Sequence, residues 1–150
     1  MVFREVEVNG DVVRTLISLS EKWESENSCR GYRTNSAEDI AGRRVFFAED
    51  SGKTVGYLFG VEQRAKEASS VMPEGAPCFE VEELYVIPEK RSRGIGGKLF
   101  RFAEETLKDR VEYLTLSTAT KNWSAIMHFY IDELGMEFWS ARLFKKTPRV

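Results

Sequence analysis

The stretch from position 81 to position 100 constrains the fold of this chain more than any other, and it reads VEELYVIPEKRSRGIGGKLF. Up to Ile87 it is rich in β-branched and aromatic residues, and Pro88 cannot donate to a sheet, so a strand is predicted to end there. From Gly97 onward, apolar residues recur at helical spacing. The stretch therefore predicts a strand, a basic glycine turn and an amphipathic helix in succession.

The turn between these two elements has the pattern Arg91-x-x-Gly94-x-Gly96. Because glycine lacks a Cβ atom, an anion can approach the backbone, and the N–H groups at a helix start point at it together with the positive end of the helix dipole. Arg91, Arg93 and Lys98 add mobile positive charge. The pattern indicates a phosphate or pyrophosphate site, and an ordinary strand-to-helix turn with solvated basic residues is the alternative interpretation.

Two other phosphate-binding patterns fit this turn less well. A Walker sequence requires Ser or Thr after its Gly-Lys pair, and here Leu99 follows Gly97 and Lys98. A Rossmann fingerprint requires a third glycine at position 99, where this chain has the same leucine. A nucleotide-phosphate enzyme of another class is therefore the least favoured interpretation.

The other elements follow from the period of the apolar residues and from the turn residues between them. The predicted strands span residues 3–8, 44–48, 53–63, 79–87, 113–117 and 138–144, and the predicted helices span 12–24, 36–40, 97–109 and 122–134. Asp11 and Ser36 are predicted to cap the first two helices, and residues 64–77 are predicted to be a functional or disordered loop. This order predicts one α/β domain over residues 1–150, an α+β mixed sheet with helices against its faces.

Composition and charge restrict the possible partners. The 22 basic and 24 acidic residues give a formal charge of −2 and a pI of 5.6, which argues against a general nucleic-acid binder. Cys29 and Cys78 lack metal-ligand spacing, and His128 is the single histidine, so no metal is expected. Because no apolar run is long enough to cross a membrane and no signal peptide is evident, we expect a cytoplasmic protein that binds no membrane.

The glycine turn and its flanks resemble motif A of the GNAT superfamily of acyl-CoA-dependent N-acetyltransferases, Gln/Arg-x-x-Gly-x-Gly/Ala after a strand that ends in proline. The segment that begins at Asn122 is similar to the Asn-x-x-Ala … Tyr … Leu-Gly-Phe ending of many members. It differs in that Ala125 and Tyr130 are one residue further apart than usual and Met136 replaces Phe. The element order also agrees, so the resemblance covers nearly the whole chain and implies a GNAT-like fold with a mostly antiparallel mixed sheet.

The resemblance implies acetyl-CoA as a co-substrate. The backbone of the turn would hold the coenzyme A pyrophosphate, and the strand edge before it would pair with the pantetheine arm. Asn122 fits either a pantetheine amide contact or a helix N-cap. The coenzyme-binding residues implied in this way are Leu84, Tyr85, Val86, Arg91, Ser92, Arg93, Gly94, Ile95, Gly96, Gly97, Lys98 and Asn122.

Acetyl transfer requires a neutral amine, and an unperturbed alkyl amine is protonated at pH 7, so a carboxylate must accept its proton, directly or through water. Strand periodicity places Glu80 and Glu82 on one face and Glu83 on the other. We expect Glu82 to be the base and Glu80 to be the second choice, because paired acids raise each other's pKa and attract a cation. A bulge would reverse the faces and favour Glu83, and solvated strand charges are the alternative.

By resemblance, Tyr130 is the candidate acid for the departing thiolate, and a core aromatic beside Phe129 is the alternative. His128 is a further candidate base, although a lone helical histidine is more often structural. The chain lacks a Cys-His or Ser-His-Asp pattern, which agrees with direct attack in a ternary complex. The predicted function is acetyl transfer to a primary amine of a small molecule or peptide, and a non-catalytic acyl-CoA sensor or interaction module is the alternative.

The amine acceptor is expected over residues 24–32 and 64–77. Glu24, Glu26 and Tyr32 would line a cationic site there, and Trp23 would pack against an apolar body of the acceptor. A homodimer is expected by resemblance only.

Overall fold

A computed structural model describes residues 1–148 as a five-stranded sheet with flanking helices. The strands are β1 (Val2–Val6), β2 (Arg44–Asp50), β3 (Lys53–Arg64), β4 (Pro77–Val86) and β5 (Tyr113–Leu116), and their spatial order follows their order in the chain. The first four strands pair antiparallel, and β5 pairs parallel to β4. The predicted mixed, mostly antiparallel sheet is confirmed.

Four α-helices accompany the sheet: α1 (Gly10–Glu26), α2 (Ala37–Ile40), α3 (Ile95–Leu107) and α4 (Trp123–Met127). Asn9 caps α1, because its side chain accepts a bond of 2.9 Å from the backbone N–H of Val12. The predicted cap Asp11 is wrong, since this residue lies inside the first turn of the helix. Ser36 caps α2 in a capping box with Asp39, as predicted. Within residues 1–148 no helix is long and apolar enough to cross a membrane.

The two long helices cover opposite faces of the sheet. The strand pairing places Phe46 and Tyr85 on opposite faces. Phe102 of α3 lies against Phe46 with ring centroids 6.2 Å apart, and Trp23 of α1 stacks on Tyr85 at 5.3 Å. The hydrophobic core therefore lies on both sides of the sheet. Its fully buried side chains include Leu16, Ile40, Val45, Phe46, Val55, Tyr57, Leu58, Phe79, Leu99, Phe100 and Leu107.

The end of the chain differs from the prediction in two ways. Instead of one long helix, α4 is followed by a π-helical segment, His128–Glu133, which accommodates an additional residue within the helical path. Residues 136–148 form no strand, so the strand predicted at 138–144 is wrong. Phe138 is 62% exposed and Trp139 is 51% exposed. Strand propensity alone does not form a strand, because it depends on a neighbouring strand to pack against and pair with.

The loop between β3 and β4 is compact. Its backbone closes on itself through bonds from Ala65 N to Ala76 O at 3.0 Å and from Ser69 N to Met72 O at 2.9 Å. Met72 is buried in a small apolar cluster with Ala76 and Cys78. Residues 64–77 were predicted to be a functional or a disordered loop, and the structure shows an ordered, packed hairpin loop.

Candidate functional site

The glycine turn forms the N-terminus of α3. Gly94 is the N-cap, and its φ of +77° favours glycine. No side chain caps this helix, and its first backbone bond runs from Lys98 N to Gly94 O at 3.0 Å. The N–H groups of residues 95–97 consequently have no partner among the described residues, and they lie at the positive end of the helix dipole, where an anion could bind them.

A side chain at Gly96 would meet no obstacle in the protein itself. A Cβ atom built there would lie 3.5 Å from Phe129 and 3.8 Å from Val86, which are ordinary contacts. The protein therefore does not require glycine at this position for packing, whereas a ligand that touches the backbone would. Arg93 and Lys98 are exposed, and the described part of the chain offers neither side chain an ion pair. The turn has the backbone donors, the space and the charge that a pyrophosphate requires.

The strand that leads into this turn has an open edge. β5 pairs with β4 only from Cys78 to Val81, while β4 continues to Val86. Within residues 1–148, the later part of β4 therefore has no strand on its β5 side. An extended ligand with amide groups can add to such an edge through main-chain hydrogen bonds. The predicted pantetheine residues Leu84, Tyr85 and Val86 all lie on this open part of β4.

A β-bulge interrupts β4 just before the open edge. In the register of β3 and β4, Gly60 pairs with Val81 and Phe59 pairs with Glu83, so Glu82 is an additional residue on β4. A Cβ atom at Gly60 would lie 2.0 Å from the carbonyl oxygen of Glu80, so only glycine fits at this position. A glycine inside a strand is the sequence signal that could have located the bulge.

The bulge changes which acidic residues share a face of the sheet. Glu80 pairs with Val61 and Glu83 pairs with Phe59, and these two partners lie on the same face of β3. Glu80 and Glu83 therefore share a face. The bulge therefore brings Glu83 onto the face of Glu80, which is the alternative predicted for a bulged strand. Glu80 and Glu82 both lie close enough to Arg43 for their charges to raise its pKa.

Glu83 lies in a cluster of hydrogen-bond donors beneath α1. Its Oε1 accepts bonds from the Tyr57 hydroxyl at 2.6 Å, from Asn35 Nδ2 at 2.9 Å and from the Tyr32 hydroxyl at 3.0 Å. Burial raises the pKa of Glu83 above its usual value, the three hydrogen bonds oppose this rise, and the nearby charge of Glu82 adds to it. A carboxyl group with a raised pKa is the kind of group that accepts a proton near neutral pH.

The two acids that we expected to act together have other partners. Glu82 forms a bidentate ion pair with Arg43, with an Oε1–Nε distance of 2.5 Å and an Oε2–Nη2 distance of 3.2 Å. Glu80 accepts a bond of 3.3 Å from Gln63 Nε2. Both contacts are on the exposed surface, so the structure does not bring Glu80 and Glu82 into the cluster around Glu83.

Tyr130 lies in the π-helical segment and is half-buried. Its ring packs edge-on against Phe100 at 6.2 Å and against Phe129 at 4.9 Å. Burial, with a contribution from nearby Cys29, raises the pKa of Tyr130 to about 12. Because its pKa is raised, the hydroxyl group carries its proton at neutral pH, and it has no hydrogen-bond partner within residues 1–148 and is therefore available to a ligand.

Asn122 immediately precedes α4, but its side chain makes no capping bond. Its backbone has φ −102° and ψ 60°, away from the extended conformation that a capping residue usually has. Its own backbone N–H donates to the Thr120 hydroxyl at 3.1 Å. The side chain of Asn122 therefore does not cap the helix, contrary to that prediction. Its exposed side-chain amide is available for a ligand contact.

Arg91 is held by the protein, contrary to the mobile charge that we predicted. Its Nη1 and Nη2 donate to the two carboxylate oxygens of Glu26 at 2.6 and 2.9 Å, and its Nε donates to the carbonyl of Val86 at 2.9 Å. The guanidinium group also lies over the ring of Tyr85, 5.3 Å from its centroid. Arg91 therefore connects the turn to the last residue of α1.

A cleft of about 500 Å³ opens where α1 ends. The backbone of the loop after α1 is bonded to the segment after β5, through Arg30 N to Ala119 O at 2.9 Å and Lys121 N to Ser28 O at 2.8 Å. The cleft is lined by Trp23, Glu24, Asn27, Ser28, Cys29, Gly31, Tyr32, Arg33 and Thr34. Of the two regions predicted to contact an acceptor, the first thus forms a cleft.

An open strand edge that runs into an uncapped helix N-terminus is typical of proteins that bind an extended, phosphate-bearing ligand. The family described as acetyltransferase (GNAT) matches residues 12–136 of this chain. The chain belongs to the GNAT acetyltransferase family. No curated protein sequence matches it at a significant level.

Three solved structures show the extent of the similarity in fold. The aminoglycoside N-acetyltransferase AAC(6′)-Iy in complex with CoA has 16% identity and a TM-score of 0.65, over 99% of this chain and 100% of that one. Ribosomal-protein-alanine N-acetyltransferase from Brucella melitensis biovar Abortus 2308 has 14% identity and a TM-score of 0.66, over 97% and 100%. An aminoglycoside acetyltransferase from an uncultured soil metagenomic sample, in complex with sisomicin, has 17% identity and a TM-score of 0.70, over 99% and 96%.

Proposed function

We propose that this protein transfers the acetyl group of acetyl-CoA to a primary amine of a small molecule or peptide, by direct attack within a ternary complex. One observation carries the proposal beyond family membership. Glu83, a half-buried carboxyl group with a raised pKa, lies on the strand whose open edge leads into the anion-binding turn. A proton acceptor and a coenzyme site are thus adjacent on one strand.

The turn and the strand edge are the proposed coenzyme site. The N–H groups of residues 95–97, together with Arg93 and Lys98, hold the pyrophosphate. The open edge of β4 at Leu84 to Val86 and the amide of Asn122 bind the pantetheine arm. Bound acetyl-CoA supplies an acetyl thioester, which an amine can attack without a covalent enzyme intermediate.

Glu83 is the proposed general base in place of Glu82. An amine that enters as an ammonium ion gives its proton to the carboxylate of Glu83, directly or through a water molecule. Tyr57 and Asn35 hold Oε1 in place from two sides, so the second oxygen is left to accept the proton. Glu82 supports this role through its charge, which contributes to the raised pKa.

Tyr130 is the proposed general acid. A thiolate leaving group requires a proton, and the hydroxyl of Tyr130 carries one at neutral pH. The rings of Phe100 and Phe129 fix the orientation of the side chain. The extra residue of the π-helical segment sets the position of Tyr130 along the helix.

The cleft at the end of α1 is the proposed acceptor site. Tyr32 lines this cleft and also bonds to Glu83 at 3.0 Å, so an acceptor in the cleft lies beside the base. By their names, the similar structures act on aminoglycosides and on an alanine of a ribosomal protein, both of which present amines. These similarities support an amine acceptor as a class.

Thermal unfolding with and without acetyl-CoA tests the coenzyme site. Ligand at 100 times its dissociation constant stabilises the folded state by about 2.7 kcal/mol, which corresponds to a shift of several degrees. Release of free thiol with a panel of primary amines then tests transfer. No thermal shift at millimolar acetyl-CoA would contradict the proposal, and a shift without thiol release for any amine would indicate a non-catalytic acyl-CoA-binding protein.

A further inference from the structure

Glu26 is the last residue of α1, where an acidic side chain is unfavourable because the helix dipole is negative there. The last turn of the helix has no basic residue to compensate. Compensation comes instead from Arg91, with its two bonds, and from the Tyr85 hydroxyl, which donates to Oε2 at 2.6 Å. Burial acts to raise the pKa of Glu26, but these bonds lower it overall, so the carboxylate remains charged.

The partners of Glu26 belong to two different parts of the site. Arg91 begins the anion-binding turn, and Tyr85 lies on the open edge of β4. Trp23, one helical turn before Glu26, and Asn27, directly after it, line the acceptor cleft. Trp23 also stacks on Tyr85, with ring centroids 5.3 Å apart. The carboxylate of Glu26 thus contacts the glycine turn, here called the coenzyme turn, while the end of α1 forms a wall of the acceptor cleft.

We infer that Glu26 is a positioning residue that joins the coenzyme turn to the acceptor cleft. Through Arg91 it holds the turn in the conformation that presents its N–H groups, and through Tyr85 it holds Trp23 as the wall of the cleft. The inference rests on the proposed function, since it takes coenzyme A to be the ligand of the turn.

Glu26→Gln is the variant that isolates this role, because it removes the charge and preserves the size of the side chain. In this variant the only acceptor that position 26 offers Arg91 is the neutral carbonyl oxygen of Gln, so the guanidinium group is held less firmly. Glu21→Gln is the matched control. Glu21 lies on the same helix, is exposed, and makes no side-chain hydrogen bond within the described residues.

Calorimetric titration with coenzyme A, well below the unfolding temperature, measures the first connection. We expect Glu26→Gln to weaken binding by about tenfold, as for the loss of a charged hydrogen-bond pair, and Glu21→Gln to bind as the wild type does. Arg91→Met should weaken binding to the same extent, and the double variant should show no further loss, because both changes break one connection. Equal affinity of Glu26→Gln and the wild type, or losses that add in the double variant, would overturn the inference.

Acrylamide quenching of Trp23 fluorescence measures the second connection, in a background that carries Trp123→Phe and Trp139→Phe. We expect Glu26→Gln to increase the quenching of Trp23, and Glu21→Gln to leave it unchanged. Equal quenching in Glu26→Gln and its parent would overturn the cleft half of the inference. If the wild-type protein does not bind coenzyme A, both the proposed function and the inference are wrong. If the wild type binds coenzyme A and Glu26→Gln binds it with the same affinity, only the inference is wrong.

Discussion

The hydroxyl of Tyr57 on β3 donates to Oε1 of Glu83 on β4 over 2.6 Å, although the register pairs Tyr57 with Tyr85 and Glu83 with Phe59. Tyr57 is completely buried, and burial raises the pKa of its hydroxyl, with a further contribution from the charge of Glu83. Tyr57 is therefore a permanent donor to the carboxylate. This fixed donor holds the Glu83 carboxylate in place, which supports Glu83 rather than Glu82 as the proposed base.

Replacement of the two neighbouring acids distinguishes them as candidate bases. We expect Glu83→Gln to lower kcat by about 100-fold or more, in the range typical of general base catalysis. Glu82→Gln removes a surface ion pair with Arg43 and the smallest contribution to the pKa of Glu83, so kcat should change by less than about threefold. Thiol release with a responsive amine measures both variants. A larger loss in Glu82→Gln than in Glu83→Gln would contradict the assignment.

The raised pKa of Glu83 also predicts how stability varies with pH. A carboxyl group whose pKa is raised by folding contributes its full stability below its unfolded pKa of about 4.3, and the contribution is lost as the pH rises through the folded value. Glu83→Gln does not titrate. The unfolding temperature of this variant, relative to that of the wild type, should therefore increase from about pH 4 to about pH 8. A difference between the two unfolding temperatures that stays constant with pH would show that folding does not raise the pKa of Glu83.

Gly96→Asp should abolish coenzyme binding. A carboxylate about 4 Å from a phosphate is repelled by about 4 kcal/mol at an effective dielectric constant of 20, so the affinity should fall by at least about 100-fold. The variant should fold, since a Cβ atom at this position makes only ordinary contacts. Gly10→Asp is the control, because it adds the same side chain at the N-terminus of α1, where the nearest atom belongs to flexible Arg14. Calorimetry with acetyl-CoA checks both variants, and normal binding by Gly96→Asp would refute the turn as the pyrophosphate site.

Tyr130→Phe should lower kcat by about 100-fold, the lower end of the general-acid range, and leave acetyl-CoA affinity nearly unchanged. The ring packing against Phe100 and Phe129 is preserved in this variant, so stability should change little. Tyr113→Phe, which removes a tyrosine hydroxyl on β5, is the control. Steady-state thiol release and calorimetry separate the two effects. If turnover is unchanged, Tyr130 is a packing residue and not an acid.

The sequence predicted the elements that depend on neighbouring residues. The strand before Pro88, the glycine turn and the start of α3 were predictable because proline, glycine and helical spacing act within a few residues. The capping box at Ser36 is equally local. The mixed sheet followed from the order of these elements.

The strand predicted at residues 138–144 shows where this kind of prediction fails. Its aromatic residues favour a strand, yet Phe144 is 76% exposed and pairs with no strand of the described chain. Arg30 lies over its ring at 4.9 Å instead. Strand propensity describes how well a segment packs against a neighbouring strand, and it does not show that such a strand is present.

By itself, the sequence determined the order of the elements from β1 to α4, the glycine turn at the start of α3 and the residue types that acetyl transfer needs. Only the tertiary structure decided which of these residues meet. The bulge at Glu82 set which acids share a face, and the pair formed by Glu26 and Arg91 joins residues 65 positions apart. Local periodicity cannot report either feature, because each depends on the register and packing of segments that are distant in the chain.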